Sequence, residues 1–279
     1  MHDPASLRTL APIAGFLTLL ELGVGTVVAA YAIDLIGRVG RGFVGSTAVI
    51  CAMVTGAALV IGINLPTDIT LLTGTIDAGA LASLVHWGLG LIGALLIFAF
   101  MCAVGTDPAR RVVGGATLAV GGVVLGKAAA AFGPALGGWF PALAVFVPAA
   151  LLAGTALGGM LLGHWYLVAP SLSFRPLRLM VNLVFGAVAV QAVVLVVALS
   201  TASAATRDAL LRSSDALPFW LLVVGAGLVF TTGVALLIRH FARIRANQPA
   251  TAMLYVLIIS VVMGVVPAHL LFFITGAPV

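Results

Sequence analysis

Runs of about 20 apolar residues recur along the chain, each long enough to cross the hydrocarbon core of a bilayer as an α-helix. They fall at 10–33, 43–64, 81–104, 112–132, 141–168, 177–200, 218–239 and 252–275. Lipid offers no water to backbone N–H and C=O groups, so each crossing segment must satisfy them itself, as an α-helix does. Pro66, Pro108, Pro134, Pro170 with Pro176, Pro218 and Pro249 punctuate the gaps. The pattern predicts an all-α integral membrane protein: an eight-helix bundle forming a single transmembrane domain over 1–279.

Composition removes the soluble alternative. Apolar residues make up 62% of the chain and charged residues only 8%, against about 25% charged in soluble domains. The +5 net charge is scattered through short connections, with no basic stripe interleaved with aromatics. That excludes nucleic acid as a partner and leaves the lipid bilayer. Cys51 and Cys102 form no CxxC and lie in or beside apolar runs, where they read as small apolar residues rather than a redox pair. The first run lacks the compact basic region and small-residue cleavage site of a signal peptide, and reads as a retained helix.

Basic residues set the expected orientation. Arg38, Arg41, Arg110, Arg111, Arg175, Arg178, Arg239, Arg243 and Arg245 fall in alternate connections, against Arg8, Arg207 and Arg212 on the other side. Positive residues stay on the cytoplasmic side, so both termini are expected outside, in a bacterial-type inner membrane. RVGR at 38–41 and RPLR at 175–178 share a spacing, and each joins the first and second helix of its half. Four helices per half preserve direction, so a 4+4 repeat would be parallel. Glycines at four-residue spacing, in GVVLG at 122–126, GTALG at 154–158 and GMLLG at 159–163, predict close helix packing or a smooth groove for a flat ring.

Ionisable residues at membrane depth are costly, which makes them the functional candidates. They are Glu21, His86, Lys127, His164 and His269, with Asn182 and Gln191 as neutral companions. His86 and His269 are expected at one level, roughly 8 Å below the outer boundary by helical rise. Two histidines at equal depth meet the first requirement for bis-histidine haem ligation and would also serve as metal ligands. Gly90 and Gly93 lie on the His86 face and would leave room for a macrocycle, and Pro267 could re-aim His269. His164, with His240, is the candidate inner pair. Glu21 at mid-helix could relay protons or bind a cation, with Lys127 as a neutralising partner or an anchor for an anionic headgroup.

No nucleophile elbow, HExxH, Walker A loop or CxxCH is present. The leading expectation is a membrane subunit of an electron-transfer complex, holding haem b or a quinone near the periplasmic face through His86 and His269. A hetero-oligomeric periplasmic or membrane partner would dock over segments 65–80 and 201–216, with Asp68 and Asp77 supplying negative charge. Segment 201–216 could form a short interfacial helix. The alternative is a proton-coupled transporter or channel for a small solute or metal ion, centred on Glu21. Helices broken at mid-membrane, for instance at Pro148 and Gly158, would favour it. A cofactor-free structural or assembly subunit is the third reading.

Overall fold

The computed structural model describes residues 7–36, 39–66, 70–71, 74–169, 171–212 and 216–276. Arg38, Asp68 and Pro170 lie outside the described residues. The helices are α1 (Leu7–Ile36), α2 (Arg41–Gly62), α3 (Ala78–Val104), α4 (Asp107–Phe132), α5 (Trp139–Val168), α6 (Arg175–Thr201), the short α7 (Ala204–Leu211), α8 (Phe219–Arg243) and α9 (Asn247–Thr275). All but α7 are long and apolar enough to cross a membrane, which makes the chain a multi-pass membrane protein of eight candidate spans. Most begin a few residues before the apolar run. Arg41, Arg110, Arg111, Arg175 and Arg178, expected in connections, occupy first turns instead. Apolar runs mark the part of a helix that suits lipid, whereas the helix itself continues into the headgroup layer.

Segment 201–216 does contain a helix, α7, started by Ser203, whose hydroxyl accepts from the Thr206 N–H at 3.1 Å. Between α2 and α3 the chain makes a small antiparallel hairpin, β1 (Thr70–Leu71) with β2 (Gly74–Thr75). Cys51 and Cys102 are free and buried, in keeping with their reading as apolar packing groups.

Two helices form the centre. α1 packs on α2, α4, α5 and α9, and α5 packs on α1, α4, α6 and α9. α3 lies outside, between α2 and α4, while α8 rests on α6 and α9. Glycine decides the centre. A Cβ on Gly25 would fall 1.7 Å from the Ala150 carbonyl oxygen, and one on Gly154 would fall 1.9 Å from the Gly25 carbonyl carbon. Backbone therefore touches backbone, as small residues permit in lipid, where helix association depends on close packing. The expected glycine seams divide. Gly154 and Gly158 face α1, Gly159 and Gly163 face Leu254 of α9, but Gly122 and Gly126 meet nothing within 4 Å.

α5 runs unbroken through Pro148 and Gly158, so the discontinuity expected there is absent. The departure from α-helical geometry lies in α8 instead, where Phe219–Phe230 is wound as a wider π-helix. Extended π segments are rare and are often found at functional sites. Its backbone reaches α9 at a second glycine contact: a Cβ on Gly264 would lie 2.4 Å from the Gly227 Cα. The segment closes at Thr231, whose hydroxyl donates to the Ala226 carbonyl at 3.0 Å and meets the Ser260 hydroxyl of α9 at 2.9 Å.

Overpacking a close-packed core costs about 1–3 kcal/mol, and more where backbone has to move. Gly154→Leu is expected to lower the unfolding midpoint in detergent sharply, while Gly122→Leu, on an open face, leaves it nearly unchanged. Thermal unfolding of the two variants side by side checks the seam; equal midpoints would refute it.

Candidate functional site: a buried carboxylate–imidazole pair

Glu21 of α1 and His269 of α9 meet inside the bundle. His269 Nε2 lies 3.1 Å from Glu21 Oε1, and each side chain is 1% exposed. On its other edge, His269 Nδ1 lies 3.3 Å from the Thr18 hydroxyl, one turn before Glu21 on α1. Phe146 of α5 presents its ring edge-on to the imidazole at 6.0 Å between centroids. Both ring nitrogens are thus engaged, and an aromatic wall closes the side. Glu21 Oε2 is buried without a hydrogen-bond partner in the protein.

Electrostatics restricts what this pair can carry. A lone ion transferred to an apolar interior costs far more than any one contact returns, so the pair is held net neutral. Two arrangements that meet that condition keep Nδ1–H donating to the Thr18 hydroxyl. The proton sits on Glu21 and its O–H donates to Nε2, or it sits on Nε2 and the imidazolium donates to the carboxylate, one proton shifted over 3.1 Å. In a third, Nε2–H donates to Oε1 of a protonated Glu21 and Nδ1 accepts from the Thr18 hydroxyl. Adding or removing a proton would leave a net charge in the core, so exchange with either side requires the enclosure to open.

The sequence named both residues but assigned His269 a different partner. The His86–His269 pairing is not formed. His86 is exposed on α3, its Nδ1 bonded to the Ala82 carbonyl of its own helix at 2.7 Å. It lines a groove of about 300 Å³ between the ends of α2 and α3, on the outside of the bundle. Gly90 and Gly93 continue that open face, since a Cβ on either meets nothing within 4 Å. Equal depth held no information about which way each helix turns its histidine.

The remaining candidates scatter. His164 on α5 and His240 on α8 are both exposed, and the His240 ring lies against Phe241 of its own helix. Lys127 is half-buried on α4 and makes no ion pair among the described residues, so the partner of Glu21 is His269 rather than lysine. Asn182 is exposed. Gln191 is buried, with its Oε1 unpartnered, beside a cavity of about 20 Å³ that is also lined by Gly227 and Gly264. That volume suits about one water molecule. Among the described residues, no three His, Cys, Asp or Glu side chains converge as metal ligands. Asp77, expected to offer charge to a partner, caps α3 by accepting from the Ala80 N–H at 2.9 Å.

Two polar features escaped the sequence reading. Thr55 of α2 has a buried, unpartnered hydroxyl that fills the space beside Gly23, two residues beyond Glu21. At the arginine-rich end, Arg110 forms a fork with Asp34, at 3.1 Å from Nε and 2.7 Å from Nη2, and both side chains are buried. Asp107 joins Arg110 at 3.0 Å and also pairs with Arg41. Arginine in a short connection reads as a topology signal, and Asp34 lies at the end of an apolar run, so neither suggested its partner.

No protein-family model matches the chain, and no curated protein matches it in sequence.

Breaking a buried pair by removing one partner costs about 3–5 kcal/mol, whereas replacing both by apolar groups is often neutral. His269→Leu and Glu21→Met are each expected to destabilise the protein strongly, and the double variant to recover most of the loss. A double-mutant cycle from denaturation in detergent measures this coupling. Simple additivity would mean that the two side chains do not share a proton-bearing contact.

Proposed function

We propose that the protein is a proton-coupled transporter or channel for a small solute or metal ion, with Glu21 and His269 as its protonatable centre. The observation that carries this reading is the enclosed Oε1–Nε2 contact of 3.1 Å, on helices whose residues stand 248 apart in sequence. A neutral pair sealed from both sides is what an occluded state of a proton carrier requires. Proton loading adds charge to the core, and the cost of that charge couples protonation to helix movement. Pro267, two residues before His269, removes a backbone donor from α9 and supplies a place for the helix to bend. The unpartnered Glu21 Oε2 is a second acceptor for an entering proton or cation.

Arginine distribution supports an orientation with both termini outside, in an inner membrane, and with the Arg110–Asp34 fork at the cytoplasmic end. The packing pattern supports a parallel 4+4 repeat. α1 touches α9, the last span of the other half, as α5 touches α4, the last span of the first. Glu21 and His269 would then join the two halves across their interface.

Electron transfer finds less support. A haem ligand needs a free imidazole lone pair, and both nitrogens of His269 are taken up by Thr18 and Glu21. A quinone at the pair would have to displace the Phe146 wall.

In proteoliposomes under an imposed potassium diffusion potential, the wild type is expected to admit protons, read by an entrapped pH-sensitive dye. Glu21→Gln is expected to reduce entry to the level of empty vesicles. Entry that persists unchanged in Glu21→Gln would remove Glu21 from the path. The absorption spectrum of protein purified from haem-replete cells separates the readings: a Soret band lost in His86→Ala would favour haem and electron transfer. Orientation has its own check in Gln248→Cys, an exposed position beside the arginine-rich turn. An impermeant maleimide is expected to label it only after the membrane is opened.

A further inference from the structure

We infer a binding site for a phosphate-bearing anion at the arginine-rich end of the bundle, between the α5–α6 connection and the α8–α9 turn. A cavity of about 590 Å³ opens there, lined by Ser171, Ser173, Arg178, Arg243, Arg245 and Asn247 among others. Arg178, Arg243 and Arg245 are exposed, and none makes an ion pair among the described residues. Among the described residues, no carboxylate lines the cavity to neutralise them. The chain has no Asp or Glu between Asp107 and Asp208 and none after Asp215, so α5, α6, α8 and α9 carry no aspartate or glutamate in their membrane spans.

The contrast within one molecule is informative. At the same end, Arg41 and Arg110 are matched by Asp107 and Asp34. Had arginine served only to fix orientation, both clusters could have been left free or both neutralised. The second cluster instead surrounds a polar cavity. The start of α9 borders it through Asn247 and has no side-chain cap, whereas at the start of α6, beside Phe174, the Ser173 hydroxyl already accepts from the Arg175 N–H and Pro176 carries none. An uncapped N-terminus such as that of α9 presents free N–H groups and the positive end of the helix dipole to an anion. Arg245 has a left-handed backbone, φ 56°, the only non-glycine residue so placed among the described residues. Strain of this kind persists where the surroundings hold a side chain in a required direction.

Three guanidinium groups, the uncapped start of α9 and serine hydroxyls form a donor set without acceptor charge. Its chemistry matches a phosphate group, whose oxygens take paired N–H donors from arginine. Two sources share that chemistry: the headgroup of an anionic phospholipid in the adjacent leaflet, and a free phosphate from solution. An occupant would tie the α8–α9 turn to the α5–α6 connection. α9 also carries His269, so occupancy would bias the helix that holds the buried pair. The site itself stands whether or not the pair moves protons.

The test uses the full-length protein in nanodiscs. In phosphatidylglycerol discs, native mass spectrometry is expected to show lipid retained by the wild type. In phosphatidylcholine discs, calorimetry with inorganic phosphate reads the soluble source. Arg178→Gln with Arg245→Gln is expected to weaken whichever binding is seen by at least about tenfold, as for the loss of charge-assisted arginine contacts. Arg175→Gln removes the same charge at the same end but does not line the cavity, and is expected to bind like wild type. Arg178→Lys, which keeps the charge and loses the planar fork, guards against a folding failure and is expected to bind more weakly than wild type. Lipid retention alone assigns the site to a headgroup; phosphate binding in phosphatidylcholine discs assigns it to a soluble anion. Absence of both in the wild type, or an equal loss in Arg175→Gln, overturns the site.

Discussion

The backbone contact between Gly25 and Gly154 is the constraint on which the rest of the structure depends. Neither position has room for a Cβ, so α1 and α5 approach until their main chains touch. In lipid, apolar side chains gain little by leaving one apolar medium for another, and close approach has to supply the attraction. With α1 and α5 fixed against each other, the other spans take their places around them. α2 and α4 flank α1, α6 flanks α5, and α9 lies against both central helices. That last position brings His269 to Glu21.

The buried pair and the Arg110–Asp34 fork obey one rule at two depths. A charge taken out of water has to meet its opposite or be neutralised by a proton. At the helix ends the answer is a forked ion pair between arginine and aspartate, with Asp107 linking it outward to Arg41. At mid-bundle the answer is a carboxyl and an imidazole, groups that can share a single proton. The residue types differ in what they can do with a proton. Arginine holds its proton, whereas a carboxyl and an imidazole can pass one between them. A fork of the first kind holds helices together, and a pair of the second kind can also change state.

Departures from regular structure gather on the second half of the chain. The π-wound stretch of α8, the Gly227–Gly264 contact and the unpartnered Gln191 amide all border one cavity, and Ala268 of its lining precedes His269 directly. α9 therefore joins three features: the arginine-lined cavity at its start, the glycine contact at its middle and the imidazole near its end. Movement of this helix would be felt at each.

The amino-acid sequence alone determined the number of spans, their approximate limits and the identity of Glu21 and His269 as residues of interest. These follow from transfer between water and lipid, which acts along the membrane normal and is written into each segment independently. Sequence could not say which helices are neighbours or which face each one turns inward. His86 and His269 were expected together because they share a depth; α3 lies at the periphery with His86 outward, and α9 turns His269 toward α1. Glycine spacing likewise proposed several seams, of which 154–158 is central and 122–126 faces outward. Lateral order in a bilayer is decided among faces that are almost equally apolar, by a few small residues and buried polar groups far apart in the chain. Only the tertiary structure holds that information.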